Sequence, residues 1–183
     1  MLNSGKPVDL ARLDISTYER FERYIENIKS AEYPFESFVT MLFHLPRWVA
    51  VSHLRRATRH ADLVVVCEAI TLLARLSPID ACPRCYDLLD HADPDVRRVV
   101  VKSLHQADVC CEDTAAIRLA TETNGDVRIA WAELLRDVGT DFILPVLCDI
   151  AATDTSVDYE GRPTRNFAAR AVKAIEERTT PPG

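Results

Sequence analysis

Glycine is scarce in this chain, at 5 of 183 residues, and so are aromatic residues, at 7%. Too little glycine rules out a collagen-like repeat, and an apolar content of 48% rules out a wholly disordered or mucin-like chain. Long hydrophobic runs are absent as well. The longest, Leu63 to Cys67, is far short of the ~20 residues that a membrane span requires. Nothing from Met1-Leu2-Asn3-Ser4-Gly5-Lys6 through Asp9 to Arg12 resembles the apolar core of a secretory signal, so the cytoplasm is the expected location. Positive charge is short too. Twenty-two Lys plus Arg face 28 Asp plus Glu, a net −6 that disfavours non-specific binding to nucleic acid or anionic membranes.

What the chain does have is apolar residues at helical spacing, with no sustained period-two alternation. The length fits one domain that buries roughly 70% of its unfolded surface, and the expected class is all-α. Ser16-Thr17-Tyr18-Glu19 fits a capping box, followed by Phe21, Tyr24, Ile25 and Ile28 on one helix face. After Pro34, the residues Phe35, Phe38, Val39, Leu42 and Phe43 keep the same rhythm up to Pro46. Residues 1–46 therefore read as a Phe- and Tyr-rich helical cap.

From there on the sequence repeats itself with a step of 31. Asp62, Asp93 and Asn124 precede successive helices, and each is followed three residues later by Val65, Val96 or Val127. Ala69, Val100 and Trp131 form one column, and Leu73, Leu104 and Leu135 another. The leading helices share the step, through Leu54, Cys85, Ala116 and Leu147 and through Ala57, Leu88, Leu119 and Ile150. Pro83 and Pro145 each read as first-turn residues of a leading helix. In the last unit Phe167, Ala171 and Ile175 follow Val127, Trp131 and Leu135 by 40, so nine residues lengthen one turn. Four helix pairs result, at about 47–77, 78–108, 109–139 and 140–178, with 179–183 as a disordered tail. A repeated pair cannot bury both of its apolar faces alone, so stacking supplies the core and the end units need covers. The cap at 1–46 and the charged last helix would provide them.

The stretch Cys82-Pro83-Arg84-Cys85-Tyr86-Asp87-Leu88-Leu89-Asp90-His91-Ala92-Asp93-Pro94-Asp95-Val96-Arg97 resembles a HEAT repeat of the short bacterial, bilin-lyase-like type, and Asn124-Gly125-Asp126-Val127-Arg128 repeats its second half. The resemblance spans roughly residues 47–178. It implies a right-handed α-α superhelix, a HEAT-like solenoid whose surface meets partners. It also implies contacts between neighbouring units through Asp93, Asp126, Arg97 and Arg128, whereas Val66 and Ala168 occupy the arginine column in the outer units.

Motifs of chemistry are few. Cys82, Cys85, Cys110 and Cys111 could suggest zinc, but Cys85 sits in a core column and adjacent cysteines on a helix cannot face the same way. All six cysteines are expected to be reduced, and these four to act as small hydrophobes. The five histidines show no metal or catalytic spacing, and no serine or cysteine nucleophile motif occurs. Asp154-Thr155-Ser156-Val157-Asp158-Tyr159-Glu160-Gly161 begins like a calcium loop, yet Tyr159 stands at the sixth place and Arg165 at the twelfth. It reads as a longer acidic surface loop, or as a partner-contacting loop that uses Tyr159 and Arg162. No cofactor and no metal are expected.

The second helices of such pairs usually line the concave side. Their expected exposed stripe is Cys67, Thr71, Ala74; Arg98, Lys102, His105; Ile129, Glu133, Arg136; Ala169, Lys173, Glu176. It is mildly basic, which suits an acidic or mixed-charge protein partner. Arg47, Arg55, Arg56 and Arg59 form an acid-free run that would suit phosphate less well than contact with the cap. Together these features predict a non-enzymatic adaptor, or an inhibitor or immunity-type antagonist. It would bind a protein through Arg98, Lys102, His105, Glu133, Arg136 and Lys173 and through Tyr159 and Arg162. The alternative is a HEAT-like enzyme, an alkylpurine DNA glycosylase or a bilin lyase, for which Glu133 and Trp131 are the available groups.

Overall fold

Short polar side chains in the turns open the helices. Asp93 Oδ1 accepts from the Asp95 N–H at 2.8 Å, Asn124 Oδ1 from the Val127 N–H at 3.2 Å, and Asp62 Oδ1 from the Val64 N–H at 3.0 Å. Each answers a backbone donor that a first helical turn leaves unpaired. The computed structural model describes residues 46–179. The N-terminal cap expected over 1–46 lies outside these residues except for Pro46, as does the tail from 180 onward.

Among the described residues the chain is all-α. Its helices are α1 (Arg47–Ala57), α2 (Leu63–Leu76), α3 (Pro78–Leu88), α4 (Pro94–Gln106), α5 (Glu112–Thr121), α6 (Gly125–Val138), α7 (Leu144–Thr153) and α8 (Thr164–Thr179). A 3-10 turn, Asp141–Ile143, leads into α7. The only β contact among them is an isolated bridge between Val157 and Pro163. No helix among them is long and apolar enough to cross a membrane.

Contacts divide the chain into two compact units, Met1–Ala69 and Ile70–Gly183. In the first, Val49, Ala50, Leu54, Ala57, Val65 and Val66 are buried. In the second, α6 packs between α4 and α8, α3 lies on α4, and α7 lies on α8. The recurring positions fill the interior. Leu73, Leu104, Leu135 and Ile175 are buried, as are Val100, Trp131 and Ala171 and also Leu88, Leu119 and Ile150. Each large aliphatic side chain so removed from water contributes roughly 1.5–3 kcal/mol of burial.

Within the repeat columns and the leading helices, three positions differ from the sequence reading. Pro83 is not in a first turn, because Ser77 and Pro78 open α3 earlier and Pro83 falls in the helix interior. The N–H it lacks would have reached the Ile79 carbonyl, and both residues are exposed, so solvent can replace that bond. Ala116 is only half-buried, although its column is otherwise core. Phe167 is likewise half-buried, whereas its counterparts Val65, Val96 and Val127 are buried.

Candidate functional site

The inserted turn between α7 and α8 is tied down by its own hydrogen bonds and ion pairs. Asp154, the C-cap of α7, accepts from the Ser156 N–H at 2.7 Å and from Arg128 Nη1 at 2.6 Å. Asp158 sits inside the loop with its side chain 1% exposed. Its Oδ1 accepts from the Glu160 and Arg162 N–H groups at 3.0 and 2.8 Å, and its Oδ2 from Arg162 Nε at 2.6 Å. Burial alone would push the Asp158 carboxyl up, but those N–H groups and the Arg162 guanidinium outweigh it and hold the carboxyl below the usual range. The Thr164 N–H closes the base by donating to the Ser156 carbonyl at 3.0 Å. Gly161 takes the left-handed turn at φ 78.

This loop lies directly on the first residue of α6. A Cβ on Gly125 would stand 2.0 Å from the Val157 carbonyl oxygen, so only glycine admits the contact. The buried loop carboxylates, Asp154 and Asp158, are occupied by N–H donors and guanidinium groups. They leave no open oxygen set for calcium, and no group of His, Cys, Asp or Glu among the described residues could hold a metal ion. At the tip Tyr159 projects with 79% of its surface exposed, and Val157 with 50%. The Tyr159 hydroxyl donates to Glu160 at 2.7 Å, and that carboxylate pushes its ionisation up. Beneath the loop, Arg162 and Arg170 cover the Phe167 ring at 5.6 and 5.4 Å.

Comparison with known protein families, curated proteins and solved structures finds no match for this chain. Its chemistry therefore rests on its own residues.

The stripe on the second helices is altered by acids that the sequence reading left out. Arg98 pairs with Asp95 at 3.1 Å, Lys173 with Glu177 at 3.7 Å, and Arg136 with Asp137 at 2.7 Å. His105 Nε2 meets the same Asp137 at 2.8 Å. Lys102 is exposed and Glu133 half-exposed, with no ion pair among the described residues. The positive surplus of the stripe is thus largely offset locally. Ala74 and Ile129, expected on this exposed stripe, are buried. Trp131 is 2% exposed and offers no ring to an extruded base.

A second polar region is an open cleft of about 320 Å³ lined by Asp90, His91, Arg97, Arg118 and Glu122 among others. Its cations are engaged. Arg97 grips Glu122 with Nε and Nη2, both at 2.8 Å, and Arg118 grips Asp90 with both Nη groups. The cysteines are separated by environment rather than joined. Burial pushes Cys85 up to about 12 and Cys110 up to about 11, whereas Thr114 holds exposed Cys111 below its usual value.

Sequence reading singled out Tyr159, Arg162 and Lys173 but missed Arg165, Phe167 and Arg170 beside them. A signal was present: from Gly161 to Ile175 the sequence holds three Arg and one Lys without an acid.

Proposed function

We propose that the chain is a non-enzymatic, cytoplasmic protein-binding module, an adaptor or an inhibitor or immunity-type antagonist. Its helix pairs would be the HEAT-like repeats that the sequence resembles, wound as a right-handed α-α superhelix. Its contact residues would be Tyr159 and Arg162 on the loop, with Arg98, Lys102, His105, Glu133, Arg136 and Lys173 on the second helices.

The observation that carries this reading is the pinned 154–163 loop. Asp154 and Asp158 hold its backbone from within, and at its tip it offers solvent Tyr159 at 79% exposure. An exposed tyrosine on a segment already ordered loses little conformational entropy on binding, which is what an interface anchor needs. Occlusion or scaffolding by this rigid surface would be the mechanism.

The test is affinity capture from native lysate with the wild-type chain and with Tyr159→Ala. Loss of an anchor of this kind costs about 2 kcal/mol or more, roughly a thirtyfold loss of affinity. The proteins retained by the wild type should therefore disappear with Tyr159→Ala, while the helical circular-dichroism signal stays the same. Equal capture by both chains would remove Tyr159 and its loop from the interface.

A further inference from the structure

Four of the eight described helices, α1, α2, α7 and α8, open without an acid in the first turn. Helices α3, α4, α5 and α6 each place an acid in the first turn, Asp80, Asp95, Glu112 with Asp113, and Asp126. Those acids complement the partial positive charge of a helix start. The first turn of α8 holds no acid and carries Arg165 instead. Along its outward side Arg165, Asn166, Ala169, Arg170 and Lys173 are all exposed, and the first carboxylate is Glu176. Arg165 and Arg170 have no carboxylate partner among the described residues. By contrast Arg97, Arg118, Arg128 and Arg136 all do.

Arg165 is placed unfavourably, at the helix end that repels a cation, and Arg170 adds like charge further along the same exposed side. A chain of net −6 keeps both all the same. A departure from local charge rules with no internal compensation marks a place where an outside group supplies what is missing. Beside the cations lies the half-buried Phe167 ring, flanked by Arg162 and Arg170, so the face combines positive charge with an apolar edge.

We propose that this face of α8, with Phe167 at its edge, docks an acidic segment of the protein partner, one that carries an aromatic or aliphatic side chain among its carboxylates. The inference rests on the protein-binding reading and supplies the chemistry of the partner. Charge complementarity selects the occupant. From Thr164 to Lys173 the helix rises about 15 Å, the span of about five residues of extended peptide. A nucleic acid is the poorer fit, because its phosphates would run on past this short track into a surface of net negative charge.

The experiment is fluorescence anisotropy with a labelled peptide of glutamates around one phenylalanine, and separately with a labelled duplex DNA. The proteins are the wild type, Arg165→Glu/Arg170→Glu, the milder Arg165→Gln/Arg170→Gln, and Arg75→Glu as a control at an exposed arginine on α2. Peptide affinity should fall about tenfold or more with either α8 variant, fall similarly between low and high salt, and stay unchanged in the control. The Gln pair guards against a folding defect in the charge reversal. No peptide binding, equal binding by the Gln pair, or tighter binding of DNA than of peptide would overturn the proposal. Lysate capture separates the two ideas. If Tyr159→Ala loses the captured proteins and Arg165→Gln/Arg170→Gln keeps them, this inference fails and the protein-binding reading stands. If the wild type captures nothing, that reading fails, and the peptide measurement still decides this one.

Discussion

Arg97 and Arg128 stand 31 residues apart, and each reaches the C-cap of a following leading helix, Glu122 for α5 and Asp154 for α7. Those carboxylates do double duty. Glu122 also accepts from the Asn124 N–H at 2.9 Å, just as Asp154 accepts from the Ser156 N–H. Two histidines hold the same turn position: the Asp62 N–H donates to His60 Nδ1 at 2.9 Å and the Asp93 N–H to His91 Nδ1 at 3.1 Å. One column thus supplies an acceptor for the residue that opens the next helix, with imidazole or carboxylate serving alike. Glu122→Gln keeps the shape and an acceptor but leaves the Arg97 guanidinium, 17% exposed, without its counter-charge. The cost should be about 2–3 kcal/mol, or a fall in Tm of roughly 4–12 °C. Asp95→Asn removes the exposed Arg98 pair and should stay within about 0.5 kcal/mol. Thermal melts of the two variants check the contrast, and equal shifts would show that burial does not decide the value of these pairs.

At the scale of elements, the loop between α7 and α8 is held by what it rests on. Gly125→Ala would push a methyl group into the Val157 carbonyl, where an added Cβ would lie 2.0 Å away. Backbone has to move, so the loop should lift from α6 and expose the bond between Arg128 and Asp154. Expected readouts are a stability loss of about 1–3 kcal/mol and faster amide exchange over residues 154–163. Unchanged exchange there would contradict the contact. Gly161 makes a useful comparison, because nothing lies near its Cβ position and its φ of 78 alone would strain an alanine. The helices themselves were legible in the sequence. Asp62, Asp93 and Asn124 announce three of them, and the columns through Leu73 and Val100 give the buried faces, because burial and capping follow local spacing. Pro83 misled because the Ser77-Pro78 start competes with it. The loop was visible as nine extra residues, but its rigidity was not. The grip on Asp154 depends on Arg128, 26 positions before it, and the seat of the loop depends on a backbone contact with Gly125 that no periodicity encodes.

Across the whole molecule, the ion pairs fix how stability depends on acidity. Asp90 is held below the ordinary carboxylate range by its hydrogen bonds from Arg118, and Asp137 by those from Arg136 and then His105. For Glu122 and Asp158 burial would act in the opposite direction, but the guanidinium groups of Arg97 and Arg162 and nearby backbone N–H groups prevail, and both lie low as well. A carboxyl with a lower pKa folded than unfolded binds fewer protons in the folded state between the two values. Its stabilisation is therefore complete above the unfolded value and drains away as pH falls through the folded one. With unfolded values near 4, urea midpoints should hold steady from pH 7 to about 5 as far as these groups are concerned and then drop steeply toward pH 3. Glu122→Gln removes one of the titrating groups, so its midpoint should start lower at pH 7 and fall less on acidification, converging on the wild type at the acid end. Parallel curves for the two chains would mean that the Glu122 pair contributes nothing to the acid limb, and the loss would then have to come from the other carboxylates alone.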